Sequence, residues 1–261
     1  MSDTILELTD VSLAFKGLTA IDRLSFAVRR GEICALIGPN GAGKSSLLNI
    51  LNGVYRPQSG TIVFEGERFH RMEPLKAARR GIGRSFQNNA LFSGMSVLDN
   101  VIVGLSRRAR TTLVEEALRL PRARAQEAAF RERARAVLRL LDLESQAGTA
   151  VGTLPYGIQK KVELARAIVA EPALLLLDEP LAGMNAREKD EIAALIERLN
   201  RELALTIVLI EHDLGIVLRL AHHVVVLDYG RKLADGPPET IRNDPDVIAA
   251  YIGTSPAALA A

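Results

Sequence analysis

The run Gly38-Pro39-Asn40-Gly41-Ala42-Gly43-Lys44-Ser45 fits the phosphate-holding pattern G-x-x-x-x-G-K-[ST] at every fixed position. Its glycines let successive backbone N–H groups turn inward around phosphate oxygens. A helix starting there adds the positive end of its dipole. Lys44 supplies a point charge to β- and γ-phosphates, and the Ser45 hydroxyl is placed to ligate Mg2+. A chance glycine-rich turn would account for the string alone. It would not account for the apolar run Ile33–Ile37 before it and the helical run Ser46–Leu51 after it.

A second constellation lies at Leu174-Leu175-Leu176-Leu177-Asp178-Glu179, an apolar strand ending in two carboxylates. Alone, it reads as a strand with a solvated end. Downstream of a complete phosphate loop, Asp178 can hold Mg2+ through water, and Glu179 can polarise an attacking water. Three further residues are weaker signals. Gln87 follows the run Ile82–Phe86 and can reach a metal or the water, or be a surface amide. His212 follows Leu205–Ile210 and can sense a γ-phosphate, or simply cap a helix. Phe15 can stack on a base, a contact worth ~1–3 kcal/mol, or pack in a core.

Short apolar runs alternating with longer amphipathic stretches must position these groups, which predicts a mostly parallel sheet covered by helices. The expected strands are Ile33–Ile37, Ile82–Phe86, Ala173–Leu177, Thr206–Ile210 and Val224–Leu227. Ile5–Leu8, Ser25–Val28 and Thr61–Phe64 alternate less cleanly and predict an antiparallel edge. Asp228-Tyr229-Gly230 predicts a hairpin turn before Arg231–Ala234. From about Asn88 to Gly152, Ala, Leu, Arg and Glu take over and strand signals vanish, which predicts an inserted helical lobe. The expected organisation is a core of 1–87 and 166–254, a helical insertion of 88–165 and a frayed tail at 255–261.

Composition sets the outer limits. Lys and Arg number 33 against 31 acids, a net charge of +2, which argues against wholesale nucleic-acid binding. Cys34, the one cysteine, permits no internal disulfide and reads as a small buried hydrophobe. Asp3, Glu7 and Asp10 argue against a secretory signal, and no apolar run approaches the ~18–20 residues that span a bilayer. A chain soluble by itself is expected, with any membrane role acting through a partner. Residues 107–139 hold 10 Arg against 4 Glu, which reads as a solvated helical surface or, more sharply, as a contact with headgroups or a partner helix.

Aromatic, phosphate loop, glutamine, helical lobe, Asp-Glu and histidine, in that order, resemble the nucleotide-binding subunits of ABC transporters over nearly the whole chain. Leu154-Pro155-Tyr156-Gly157-Ile158-Gln159 occupies the place of their signature L-S-G-G-Q. The resemblance implies a P-loop NTPase core that hydrolyses ATP with Mg2+. It implies that Phe15, Gly38 to Ser46 (Ser46 included) and Asp178 bind the nucleotide, with Tyr156 and Gly157 acting across a head-to-tail pair. Ser45, Gln87 and Asp178 would serve the metal, and Glu179, Gln87 and His212 the hydrolysis. Pro155, Tyr156 and Ile158 depart from the signature, and Leu181-Ala182-Gly183-Met184-Asn185 departs from the usual loop after the carboxylates.

The signature tyrosine, that loop, the long insertion and the ending Asn243-Asp244-Pro245-Asp246-Val247-Ile248 resemble the cassettes of branched-chain amino acid importers. Relatives importing amides, urea or aromatic acids share these features. The resemblance implies a second ATP-binding subunit, two transmembrane permease subunits, an extracytoplasmic binding protein and a place on the cytoplasmic face of the membrane. Solute choice would lie outside this chain. An exporter cassette for lipid or polysaccharide is a rival, and so, more remotely, is a soluble ABC ATPase of nucleic-acid metabolism.

Overall fold

The computed structural model describes residues 3–70, 72–85 and 91–252, which divide into two compact units. Unit 1 is Met1–Arg84 with Ala173–Ala261, and unit 2 is Ser85–Pro172. Unit 1 begins with β1 (Thr4–Phe15), β2 (Leu18–Arg29), β3 (Ile33–Ile37), α1 (Lys44–Leu51), β4 (Ser59–Phe64), β5 (Glu67–Phe69), α2 (Pro74–Arg79) and β6 (Ile82–Arg84). Unit 2 then contributes α3 (Val97–Val103), α4 (Leu113–Ala117), α5 (Pro121–Leu140) and α6 (Tyr156–Ile168), with short 3-10 turns between them. Unit 1 resumes with β7 (Leu174–Asp178), α7 (Ala186–Leu203), β8 (Thr206–Ile210), α8 (Leu214–Leu220), β9 (His223–Asp228), β10 (Arg231–Gly236), α9 (Pro238–Arg242) and α10 (Pro245–Ile252).

The six-stranded sheet runs β10-β9-β3-β8-β7-β6, parallel throughout except for β10. Strands β3, β7 and β8 are buried along their whole length, as parallel strands covered on both faces must be. Alternate residues serve alternate faces. Cys34, Leu36, Leu174, Leu176, Val208, Ile210, Val225 and Leu227 pack with α1 and the antiparallel strands. Ala35, Ile37, Val224 and Val226 pack with Val217, Ile241, Val247 and Tyr251 from α8, α9 and α10.

The early strands form a sheet of their own, β2-β1-β4-β5, longer than the expected edge. Their alternation is blurred for a physical reason. Asp10 (φ 51°) and Arg23 (φ 47°) take left-handed backbone where the β1–β2 register shifts, and each such shift turns side chains to the other face. Ser25 and Ser12 accept the freed amides of Asp10 and Arg23 at 2.8 and 2.9 Å. The expected hairpin forms a two-residue turn at Tyr229 and Gly230, both at positive φ (44° and 80°), the geometry that follows strand twist.

In unit 2, Gly104 lets α3 lie close to α6, since a Cβ there would fall 2.2 Å from the Arg166 carbonyl oxygen. Asn100 is fully buried and hydrogen-bonds Phe92, Met95 and Ser96 backbone, which closes the turn ahead of α3. Much of the arginine excess meets glutamates at the surface: Arg131 pairs with Glu127, Arg139 with Glu132 and Glu144, and Arg133 and Arg108 with Glu171.

At the amino ends of β3 and β9 sits a charged knot. His223 bridges Asp235 through Nε2 and Glu32 through Nδ1 (3.4 Å), and Lys232 also reaches Asp235 at 2.7 Å. The bond to Asp235, seconded by Cys34 and Glu32, pushes the imidazole up to about 12, while the same bond pulls the Asp235 carboxyl down. Burial pushes the adjacent Cys34 thiol up. A raised histidine contributes fully below its unfolded value of about 6.5 and fades as pH climbs from there toward about 12. A lowered carboxylate contributes fully above its unfolded value of about 4 and fades on acidification. Asp235→Asn should therefore destabilise unit 1 most between about pH 4 and 6.5 and least in stronger acid, as read by urea midpoints across pH. A loss independent of pH would show that the knot contributes only packing.

Candidate functional site

The phosphate loop joins the carboxyl end of β3 to α1 and is wedged between neighbours. A Cβ on Gly38 (φ 144°) would sit 2.0 Å from the Leu227 carbonyl oxygen, and one on Gly43 (φ 101°) 2.4 Å from that of Ala20. These two positions admit only glycine, for want of space and for their backbone. Gly41 is also at positive φ (83°), yet nothing lies within 4 Å of its Cβ position, so this side of the loop is open. The hairpin turn braces the loop from behind: the Gly230 amide donates to the Ala42 carbonyl (3.1 Å) and the Asp22 amide to that of Gly230 (2.8 Å).

Lys44 starts α1, two residues earlier than the sequence suggested, and is buried. Its ammonium donates to the Gly38 and Pro39 carbonyls at 2.7 and 2.9 Å. Burial pulls its pKa below the ordinary value, with Glu179 and Asp178 acting against that pull. A multiply charged anion in the loop would add to their effect. Ser45 is exposed and Ser46 half-buried at the mouth.

Asp178 ends β7 and is buried. Its Oδ2 accepts from Arg84 Nη2 at 3.0 Å, and Arg84 also donates to Asn49 Oδ1 at 2.6 Å. Its Oδ1 is buried without a hydrogen-bond partner among the described residues. Leaving such an oxygen unpaired costs ~1–3 kcal/mol, more for a charged group, so the position suits a cation or a cation-bound water. Among the described residues no cluster of three His, Cys, Asp or Glu could hold a metal by itself. A metal fits here only as one shared with phosphate oxygens and Ser45, which matches the donor set of Mg2+.

Glu179, the next residue, takes φ 49°, a strained conformation for a non-glycine that is typically found at functional sites. Its amide donates to the Ile210 carbonyl at 3.0 Å, which ties the turn to β8. Its carboxylate meets His212 Nε2 at 2.6 Å. Beneath them lies Glu211, buried, accepting the Leu181 amide at 2.9 Å and the His212 amide at 3.2 Å. Burial pushes its carboxyl up, against those two bonds and the charge of His212. Glu211 thereby joins the loop after Glu179 to the loop carrying His212.

A cavity of about 320 Å3 gathers Asn40 to Ser46, Leu18, Thr19, Ala20, Glu179, His212 and Tyr229. A larger one, of about 710 Å3, lies among α7 to α10. Its lining charges Lys189 and Asp213 pair with each other at 2.9 Å, and it lacks an amide cradle, so the smaller cavity is the one equipped for phosphate. Phe15 is exposed at the end of β1, with its ring edge-on to Tyr55 at 5.0 Å, rather than packed in the core. Gln87 lies outside the described residues. In unit 2, Pro155 caps α6 and Tyr156 opens it, exposed, with the Lys160 ammonium 5.7 Å from its ring centre; Gly157 follows in the first turn. Arg84, Glu211 and Tyr229 were not legible in the sequence. Arg84 and Glu211 sit at ends of strands where a lone charge reads as solvated, and Tyr229 looks like an ordinary turn residue.

Comparison with known proteins agrees with this geometry. Residues 21–182 match the ABC transporter family, and residues 231–257 match the branched-chain amino acid ATP-binding cassette transporters. The high-affinity branched-chain amino acid transport ATP-binding protein BraF of Pseudomonas aeruginosa is 40% identical over 97% of this chain and 99% of its own. LivG of Escherichia coli, which carries the same description, is 38% identical over the same shares. A crystallised ATP-binding cassette of an ABC transporter in its ADP conformation superposes with a TM-score of 0.84 at 28% identity, covering 97% of this chain and all of that one. The phosphate loop, the paired carboxylates and these likenesses make the chain a member of the ABC transporter family, an ATP-hydrolysing cassette.

Proposed function

We propose that this chain powers a branched-chain amino acid importer, working as a pair with a second ATP-binding subunit beneath two permease subunits on the cytoplasmic face of the membrane. The observation that carries this choice is the match of residues 231–257 to the branched-chain cassettes, over and above the general family match. Relatives named for branched-chain transport, 38–40% identical over nearly the whole chain, support it. Among the described residues no helix is long and apolar enough to cross a membrane, so the attachment we propose runs through the permeases. An extracytoplasmic binding protein would deliver the solute.

In this reading the loop Gly38 to Ser46 (Pro39, Asn40, Gly41, Ala42 and Gly43 among them) surrounds the phosphates. Its backbone N–H groups other than that of Pro39, which has none, hold them, and Lys44 pairs with the β- and γ-oxygens. Phe15 stacks on adenine. Ser45, Gln87 and, through water, Asp178 would hold Mg2+, which neutralises charge on the transferred phosphoryl group when bound. Glu179 takes the proton of the water whose oxygen attacks the γ-phosphorus, as the bond to the β–γ bridging oxygen breaks and ADP leaves. His212 holds the Glu179 carboxylate in line through the bond at 2.6 Å. Tyr156 and Gly157 act on the nucleotide of the opposite subunit. Pro155, in place of a serine, offers that nucleotide neither a hydroxyl nor an N–H.

Two variants test the residue roles, and an uptake assay tests the solute. Glu179→Gln should keep ATP affinity and lower hydrolysis by ~10²–10⁴-fold, whereas Glu211→Ala, which orphans the Leu181 amide, should cost ~1–3 kcal/mol of stability as well as rate. Normal turnover in the first, or full stability in the second, would contradict the roles given. For transport, a cell lacking this chain should lose high-affinity uptake of radiolabelled leucine, regained with the wild type and not with Lys44→Ala. Uptake indifferent to the chain would overturn the choice of solute.

A further inference from the structure

Helix α4 carries the most exposed apolar residues of unit 2. Leu113, Val114 and Leu118 are 85%, 65% and 67% exposed, and Ala117 and Leu120 are exposed beside them. Positions 113, 114, 117 and 118 share one face of a helical turn. The helix is too short to persist alone and is held by design. Thr112 and Glu115 form a capping box, Arg122 of α5 pairs with Glu115 at 3.2 Å, and Gln126 of α5 bonds Thr111 and the Arg110 amide. The leucines therefore stand on a fixed strut.

Charge surrounds them. Arg110 precedes the helix, while Arg119 and Arg124 follow it, all exposed and with guanidinium groups that meet no carboxylate among the described residues. In the rest of the arginine-rich segment Arg131, Arg133 and Arg139 are matched by glutamates, and of the exposed arginines there only Arg135 meets no carboxylate among the described residues. Unpaired guanidinium groups around protruding leucines are the chemistry of an anionic bilayer surface: the apolar face enters the headgroup layer and the arginines meet lipid phosphates. Side chains standing this far clear of their own unit are convex. A protein partner would need a shaped groove to receive them, whereas a bilayer takes any outline.

We infer that α4 and its flanking arginines form a lipid-contact surface for anionic membrane. The inference rests on the reading of the chain as a membrane-associated subunit. It gives the subunit a hold on the bilayer of its own, beside the one supplied by permeases. The test is flotation of the purified full chain with vesicles of phosphatidylcholine alone or mixed with phosphatidylglycerol. The wild type should float with the mixed vesicles and less so in high salt. Leu113→Ser with Leu118→Ser should lower the bound fraction by about tenfold, and Arg119→Ser with Arg124→Ser should flatten the salt dependence. ATP hydrolysis should be unchanged in both, since these side chains are solvent-exposed. Equal flotation of wild type and variants would overturn the proposal. So would failure of the wild type to float while leucine uptake still depends on it; that outcome leaves the importer reading standing and assigns the patch to a protein partner. Lipid binding without any dependence of uptake would instead sink the importer reading and keep the surface.

Discussion

Charge held out of water at the carboxyl end of the parallel sheet is the constraint around which unit 1 is built. Lys44, Asp178 and Glu211 are all buried there, and Arg84 nearly so. Each is costly unless met by a partner. Lys44 takes two loop carbonyls, Arg84 bridges Asp178 and Asn49, and Glu211 takes two amides. What those bonds leave over is chemically specific. One oxygen of Asp178 points to no donor among the described residues, and the ammonium of Lys44 is held below its ordinary pKa. Both deficits would be relieved by the same ligand, a polyphosphate carrying a divalent cation.

The rest of the fold keeps that end in place. Strands β3, β7 and β8 are buried throughout, so their ends have little freedom. The loop after β3 lies tight against the Leu227 carbonyl at Gly38 and against the Ala20 carbonyl at Gly43. Its brace, the Tyr229–Gly230 turn, is itself joined to β2 through Asp22, whose carboxylate also pairs with Arg231 at 2.7 Å. The antiparallel sheet therefore contributes to the loop's position although only Phe15 and the Leu18–Ala20 segment come near nucleotide chemistry. Glu211 does the same on the other side, since one carboxylate fixes the backbone of both the Glu179 and the His212 loops.

Much of this was legible in the sequence because the informative residues are rare types at fixed spacing. Gly38, Gly43 and Lys44 stand where the backbone and a buried charge demand them, and the four leucines before Asp178 read directly as a covered strand. Strands β1 and β2 were legible only in part, since Asp10 and Arg23 break the alternation that marks a strand. Arg84 and Glu211 gave no signal: a single charge at a strand end looks the same whether it faces solvent or is buried against a partner distant in sequence. The brace of Gly230 on Ala42 was equally hidden, because it joins backbone groups and depends on no side-chain type.

The central claim is that Asp178 completes a cation site around nucleotide bound in the phosphate loop. Manganese, whose paramagnetism reports its binding, can stand in for magnesium. Titration of Mn2+ into the ATP-loaded wild type and Asp178→Asn, read by electron paramagnetic resonance, tests it most directly. The account predicts Mn2+ affinity at least about tenfold weaker in the variant, with metal-free ATP affinity unchanged. Equal Mn2+ affinity in the two proteins would contradict it and leave the unpaired oxygen without a role.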